Sequence, residues 1–78
     1  MPTVLRVGSY RFFFYSSDQH EPFHVHVESE NKIAKFWLDP IRLQNSGGFN
    51  RSEINRILSI TTKHQIELME GWDDYFND

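Results

Sequence analysis

The densest chemistry in this chain is the run Glu21-Pro22-Phe23-His24-Val25-His26-Val27. Two imidazoles two residues apart on an extended strand project to the same side, so His24 and His26 can act on one ligand. Histidine is the side chain best suited to proton transfer near neutral pH, and a nearby Lys35 or Arg11 favours the neutral, proton-accepting ring. In a metal-independent ribonuclease scheme, one imidazole removes a 2′-hydroxyl proton and the other supports the leaving oxygen or the phosphate. Arg11 and Lys35 then stabilise the developing charge. Tyr15, Phe13 or Trp37 stacks an unpaired base, with Glu21 as a further substrate contact. That scheme needs no metal and no cofactor.

Two other readings of the same residues stay open. In one, the face is not catalytic: either the histidines are half-exposed sheet residues hydrogen-bonded to Glu21 or Asp18 that contribute only solubility and register, or the aromatic and basic face binds a protein partner. In the other, His24 and His26 supply two nitrogen ligands to a metal, and Glu28, His20 or Asp18 completes the set. Other constellations carry less. Gly47-Gly48 lacks the spacing and the following lysine of a phosphate loop, and Ser16 and Ser17 have no nucleophile elbow around them.

The elements that must hold these residues follow from periodicity. Leu5-Arg6-Val7 and Tyr10-Arg11-Phe12-Phe13-Phe14-Tyr15 read as strands joined by a turn at Gly8-Ser9. The polar segment from Ser16 to Pro22 reads as a loop. The runs His24–Val27 and Ile33–Leu38 form a second hairpin, and a two-residue turn at Glu30-Asn31 sets His26 opposite Lys35 and His24 opposite Trp37. Alternation assigns Phe12, Phe14, Val25, Val27, Ala34, Phe36 and Leu38 to a buried face. Arg11, Phe13, Tyr15, His24, His26, Glu28, Lys35 and Trp37 fall on the other. Asp39-Pro40 ends the sheet, and Ser46-Gly47-Gly48 makes a flexible bend.

Asn50-Arg51-Ser52-Glu53 is a capping box that starts one long helix, bent near Gly71. Its apolar stripe runs through Ile54, Ile57, Leu58, Thr61, Gln65, Leu68 and Trp72, extended by Met69 and Phe76. The expected fold is α+β: an antiparallel meander of three to four strands (about 3–39), covered on one face by a C-terminal helix (about 50–77). The opposite face is expected to be partly open.

Size and composition agree with this. At 78 residues the chain has room for one domain, in which about 60% of the unfolded surface is buried; its seven Phe, three Tyr and two Trp make a core attainable. The absence of cysteine removes disulfides and thiolate sites, and no apolar run approaches a membrane span or a signal peptide. The expectation is therefore a cytoplasmic protein. Net charge is −3, yet every Lys and Arg lies at or before Lys63, whereas Glu67, Glu70, Asp73, Asp74 and Asp78 follow it. Such a lopsided molecule can offer a basic face to nucleic acid and an acidic end to a basic partner.

The order of blocks adds a resemblance. Pro2-Thr3-Val4-Leu5-Arg6, Tyr10 to Ser16, Glu21 to Val27 and Ala34-Lys35-Phe36-Trp37-Leu38-Asp39-Pro40, with Ile57-Leu58 and Trp72, Tyr75 and Phe76, together resemble the small bacterial family called domain of unknown function 4160. Phe23 departs from it, since members usually carry a second proline there. The resemblance implies a component of a type II toxin–antitoxin module, with a small cognate protein encoded alongside and RNA as a substrate class. The matching blocks include Arg11, His24, His26, Lys35 and Trp37.

Overall fold

A computed structural model describes residues 3–77. Five strands, β1 (Thr3–Val7), β2 (Tyr10–Phe13), β3 (His24–Ser29), β4 (Lys32–Leu38) and β5 (Ile41–Asn45), pair in sequence order as an antiparallel meander. Two helices follow, α1 (Arg51–Lys63) and α2 (Gln65–Phe76). The α+β class and the helical cover are as expected. The sheet has one strand more.

The extra strand is β5. Pro40 follows Asp39 in the turn itself, where the missing N–H removes no ladder bond, so the chain reverses and pairs Leu38 with Ile41 and Trp37 with Arg42. The bend beyond it is tight, not flexible. Gly47 has φ +61°, and a Cβ there would lie 1.8 Å from the Ile33 carbonyl oxygen, so only glycine lets the backbone approach β4 this closely.

The register of the central hairpin is the one a two-residue turn at Glu30-Asn31 sets: His24 opposite Trp37, His26 opposite Lys35, and Ser29 closing on Lys32. One face of the sheet is the core. Phe12, Phe14, Val25, Val27, Ala34, Phe36 and Leu38 are fully buried there beneath Ile57, Leu68 and Trp72 of the helices.

The helical part breaks at His64, not near Gly71. Thr61 and Thr62 each donate a hydroxyl hydrogen bond to the carbonyl four residues back, Ile57 and Leu58, at 2.8 Å, a pattern that bends helices. His64 leaves the helical region at φ −109°, ψ 19°. The break lets α2 turn so that Gln65 donates to the Leu38 carbonyl at 2.6 Å. Gly71 lies inside α2, where a Cβ would sit 3.6 Å from Val4 Cγ1, an ordinary packing distance against β1. At the other end the expected capping box is present, with Glu53 N–H donating to Asn50 Oδ1 at 2.8 Å and Asn50 N–H to Glu53 Oε1 at 3.2 Å.

The second face of the sheet differs most from expectation. A short 3-10 turn over Ser16–His20 folds back across the β2–β3 end and roofs it. Phe13 and His24 are buried to 1% and 0% exposure, and Asp18 to 8%. The face expected to be partly open is closed around its histidines.

Candidate metal centre

The site is built by the connection between β2 and β3. Tyr15 N–H donates to Asp18 Oδ2 at 2.8 Å, and the backbone bonds Asp18 N–H to Tyr15 O and Glu21 N–H to Asp18 O, both 3.0 Å, close the turn. These bonds fold the Asp18 carboxylate inward onto β3. Beyond the turn, Leu38 N–H donates to the Phe23 carbonyl at 3.0 Å, fixing the entry to β3 against the end of β4.

Strand alternation then delivers both imidazoles to the carboxylate. His24 Nε2 lies 3.1 Å from Asp18 Oδ1, and His26 Nε2 lies 3.2 Å from Asp18 Oδ2. Donor atoms of the three residues all fall within 4.8 Å of one another. On its far side His24 Nδ1 is 2.8 Å from the Pro22 carbonyl oxygen. A carbonyl only accepts, so Nδ1 carries the hydrogen, and the neutral ring presents a lone pair at Nε2. Both Nε2 atoms are buried and neither makes a hydrogen bond of adequate geometry.

Aromatic rings enclose the pair. His26 stacks on Phe13 with centroids 5.5 Å apart and meets Tyr15 edge-on at 4.6 Å. His24 lies between Trp37 at 5.6 Å and Trp72 of α2 at 5.1 Å. Burial holds the His26 pKa below the ordinary imidazole value, outweighing the opposing pull of Asp18. Its Nε2 is thus also suited to donate a lone pair.

The other residues singled out from the sequence share the face but are engaged elsewhere. Arg11 donates through Nε and an Nη to Glu28 Oε1 at 3.0 and 2.7 Å, with its guanidinium 4.3 Å from the Phe13 ring centroid. Lys35 Nζ is 2.7 Å from Glu21 Oε1 and 4.8 Å from the Trp37 centroid; that hydrogen bond holds the Glu21 carboxyl below its usual range. Each cation is therefore neutralised by a neighbouring carboxylate. A transesterification carried by two imidazoles needs ring nitrogens open to a substrate. Here both Nε2 atoms are covered, and His24 Nδ1 is taken by Pro22. Of the three residues expected to complete a ligand set, Asp18 is the one that lies against both rings, Glu28 is bound to Arg11, and His20 is exposed.

What the arrangement can do follows from donor chemistry. Ligands about 2.0–2.1 Å from a tetrahedral ion are about 3.3 Å from one another; the two His–Asp18 separations, 3.1 and 3.2 Å, are close to this, and the donors of all three residues fall within 4.8 Å. A ligating histidine also donates its second ring N–H to a carbonyl or carboxylate, which fixes the tautomer and the ring plane; the His24–Pro22 bond has that form. Two imidazoles and a carboxylate suit zinc, iron(II), nickel or copper(II), and suit magnesium or calcium poorly.

Neither the curated proteins nor the solved structures searched contain a match to this chain. The model of one family, described as a domain of unknown function (DUF4160), matches residues 9–73, and the chain belongs to that family.

Proposed function

We propose that this protein is a metal-binding domain whose ligands are Asp18, His24 and His26, taking one divalent transition ion of the zinc type. The observation that carries the reading is the tautomer of His24. With Nδ1–H given to Pro22, the neutral ring sets an unprotonated Nε2 3.1 Å from a carboxylate oxygen. Two such acceptors repel in a buried setting, and a cation between them removes the conflict. A second proton on His24 meets the same electrostatic need, but the lack of hydrogen-bond geometry at either Nε2 favours an ion. The toxin–antitoxin setting implied by the family resemblance is kept within the proposal, with the ion fixing the shape of the face a small cognate protein would meet.

The test is metal content and affinity. Protein purified without an affinity tag is expected to carry close to one zinc, nickel, copper or iron per chain after exposure to that ion. Asp18→Asn is expected to weaken binding at least tenfold, and His26→Gln likewise. Circular dichroism confirms that each variant is folded. A chain that takes up none of these ions, or variants that bind as wild type does, would overturn the assignment.

A further inference from the structure

A second concavity lies on the same side of the sheet, beyond the histidines, and none of the three proposed ligands lines it. Pro22 and Phe23 form one wall, Trp37, Asp39 and Arg42 the other, and the volume is about 240 Å³. We propose that this hollow binds a nucleotide, its base stacked on Trp37 and its phosphate held by Arg42.

Four observations support this occupant. Trp37 and Arg42 are direct cross-strand partners on β4 and β5, so the indole and the guanidinium rise side by side from the same face. Arg42 makes no ion pair and no side-chain hydrogen bond among the described residues, whereas Arg11, Lys32 and Lys35 on the same sheet are each joined to a carboxylate. Arg42 is the sheet cation beside an aromatic ring that retains its full donor set, and that set matches a phosphate. Asp39 on the same wall is also without a hydrogen-bond partner among the described residues, and can accept from an exocyclic amine or a ribose hydroxyl.

The aromatic inventory points the same way. Phe13 is buried, and neither it nor Tyr15 lines the hollow. Trp37 is half-buried and lines the hollow. Lys35 Nζ stands over its ring at 4.8 Å but is paired with Glu21, so the phosphate contact falls to Arg42. Stacking on an indole with a guanidinium alongside tolerates any base, as single-stranded nucleic-acid sites do. The chemistry is common to a free nucleotide and to an unpaired nucleotide of RNA, and length of the probe separates the two.

Residue-resolved NMR of the full chain, titrated with uridine and adenosine 5′-monophosphates and with a short single-stranded RNA, tests the proposal. Saturable shifts are expected in residues 22–23 and 37–42. Trp37→Leu is expected to weaken binding roughly 5- to 150-fold, the range for loss of one stacked base, and exposed Arg42→Gln about tenfold. Tighter binding of the oligomer identifies RNA as the source; equal binding identifies the free nucleotide. Asp18→Asn, which removes a proposed metal ligand, is expected to leave the nucleotide shifts in place, so failure of one site does not mimic failure of the other. Absence of saturation by about 10 mM, or affinity unchanged in both hollow variants, would overturn the inference.

Discussion

At the scale of single residues, the protonation of two buried rings decides what the site can be. His24 owes its tautomer to one carbonyl, and burial against Phe13 and Tyr15 holds the His26 pKa below the ordinary imidazole value despite the pull of Asp18. A histidine whose folded pKa lies below its unfolded value near 6.5 binds fewer protons when folded. Between those two values the unfolded chain holds the extra proton, so stability rises with pH across that window and levels off above it. With chelator present to remove competition from ions, the melting temperature is expected to fall between pH 7.5 and pH 5.5. In a folded His26→Gln variant the fall should be shallower. A melting temperature that stayed level or rose toward pH 5.5 would contradict the neutral imidazole on which the ligand reading depends.

At the scale of elements, the β3–β4 hairpin sets the register of the whole face, and its turn carries a measurable strain. Glu30 sits at φ 57°, a left-handed conformation that no other described non-glycine residue adopts. That conformation costs an L-residue about 1–2 kcal/mol; glycine, with no Cβ, removes this cost, but its greater freedom in the unfolded chain offsets part of the gain. Glu30→Gly is therefore expected to stabilise the domain by about 0.5–1 kcal/mol in urea denaturation, with the histidine resonances unmoved. Destabilisation would mean that the Glu30 side chain contributes something its position does not reveal.

The elements also divide by how legible they were. Alternation through Phe12, Phe14, Val25, Val27, Ala34 and Phe36 has a period of two and a single buried solution, so the faces could be read from residue types, whereas the His24–Trp37 pairing needed the two-residue turn at Glu30-Asn31 as well. β5 could not. It is an edge strand with Leu43 44% exposed, so little burial marks its pattern, and Pro40 before it reads as a terminator although it serves as a turn residue. The helix break was hidden for a similar reason, because the apolar stripe continues through His64 while the two threonine hydroxyls bend the backbone. Closure of the histidine face was the least readable feature. A polar loop has no period, and Asp18 became distinguishable from His20 and Glu28 only once the 3-10 turn had directed it inward and Arg11 had engaged Glu28.

At the scale of the molecule, the charges stay segregated, with Glu67, Glu70, Asp73 and Asp74 on α2 and all the lysines and arginines on the sheet, on α1 or in their connections. The proposed ion lies away from that acidic stretch in sequence and ties the 3-10 turn to β3. Its other anchors are the bond from Tyr15 N–H to the Asp18 carboxylate, the backbone bonds Asp18 N–H to Tyr15 O and Glu21 N–H to Asp18 O, and the Glu21–Lys35 pair at its exit. An ion that binds only the folded chain stabilises it by about 2.7 kcal/mol when free ion stands at a hundred times its dissociation constant. Each kcal/mol shifts the melting temperature of a domain this small by about 4–8 °C. Chelation is therefore expected to lower the melting temperature by roughly 10–20 °C, with zinc restoring it and magnesium or calcium failing to. The change should follow ion concentration logarithmically and vanish in Asp18→Asn, which retains the fold but lacks the carboxylate that bridges the two rings. A melting temperature indifferent to both chelator and zinc would mean that the three donors meet for packing alone, and the closed face would then be a core feature with no ion to hold.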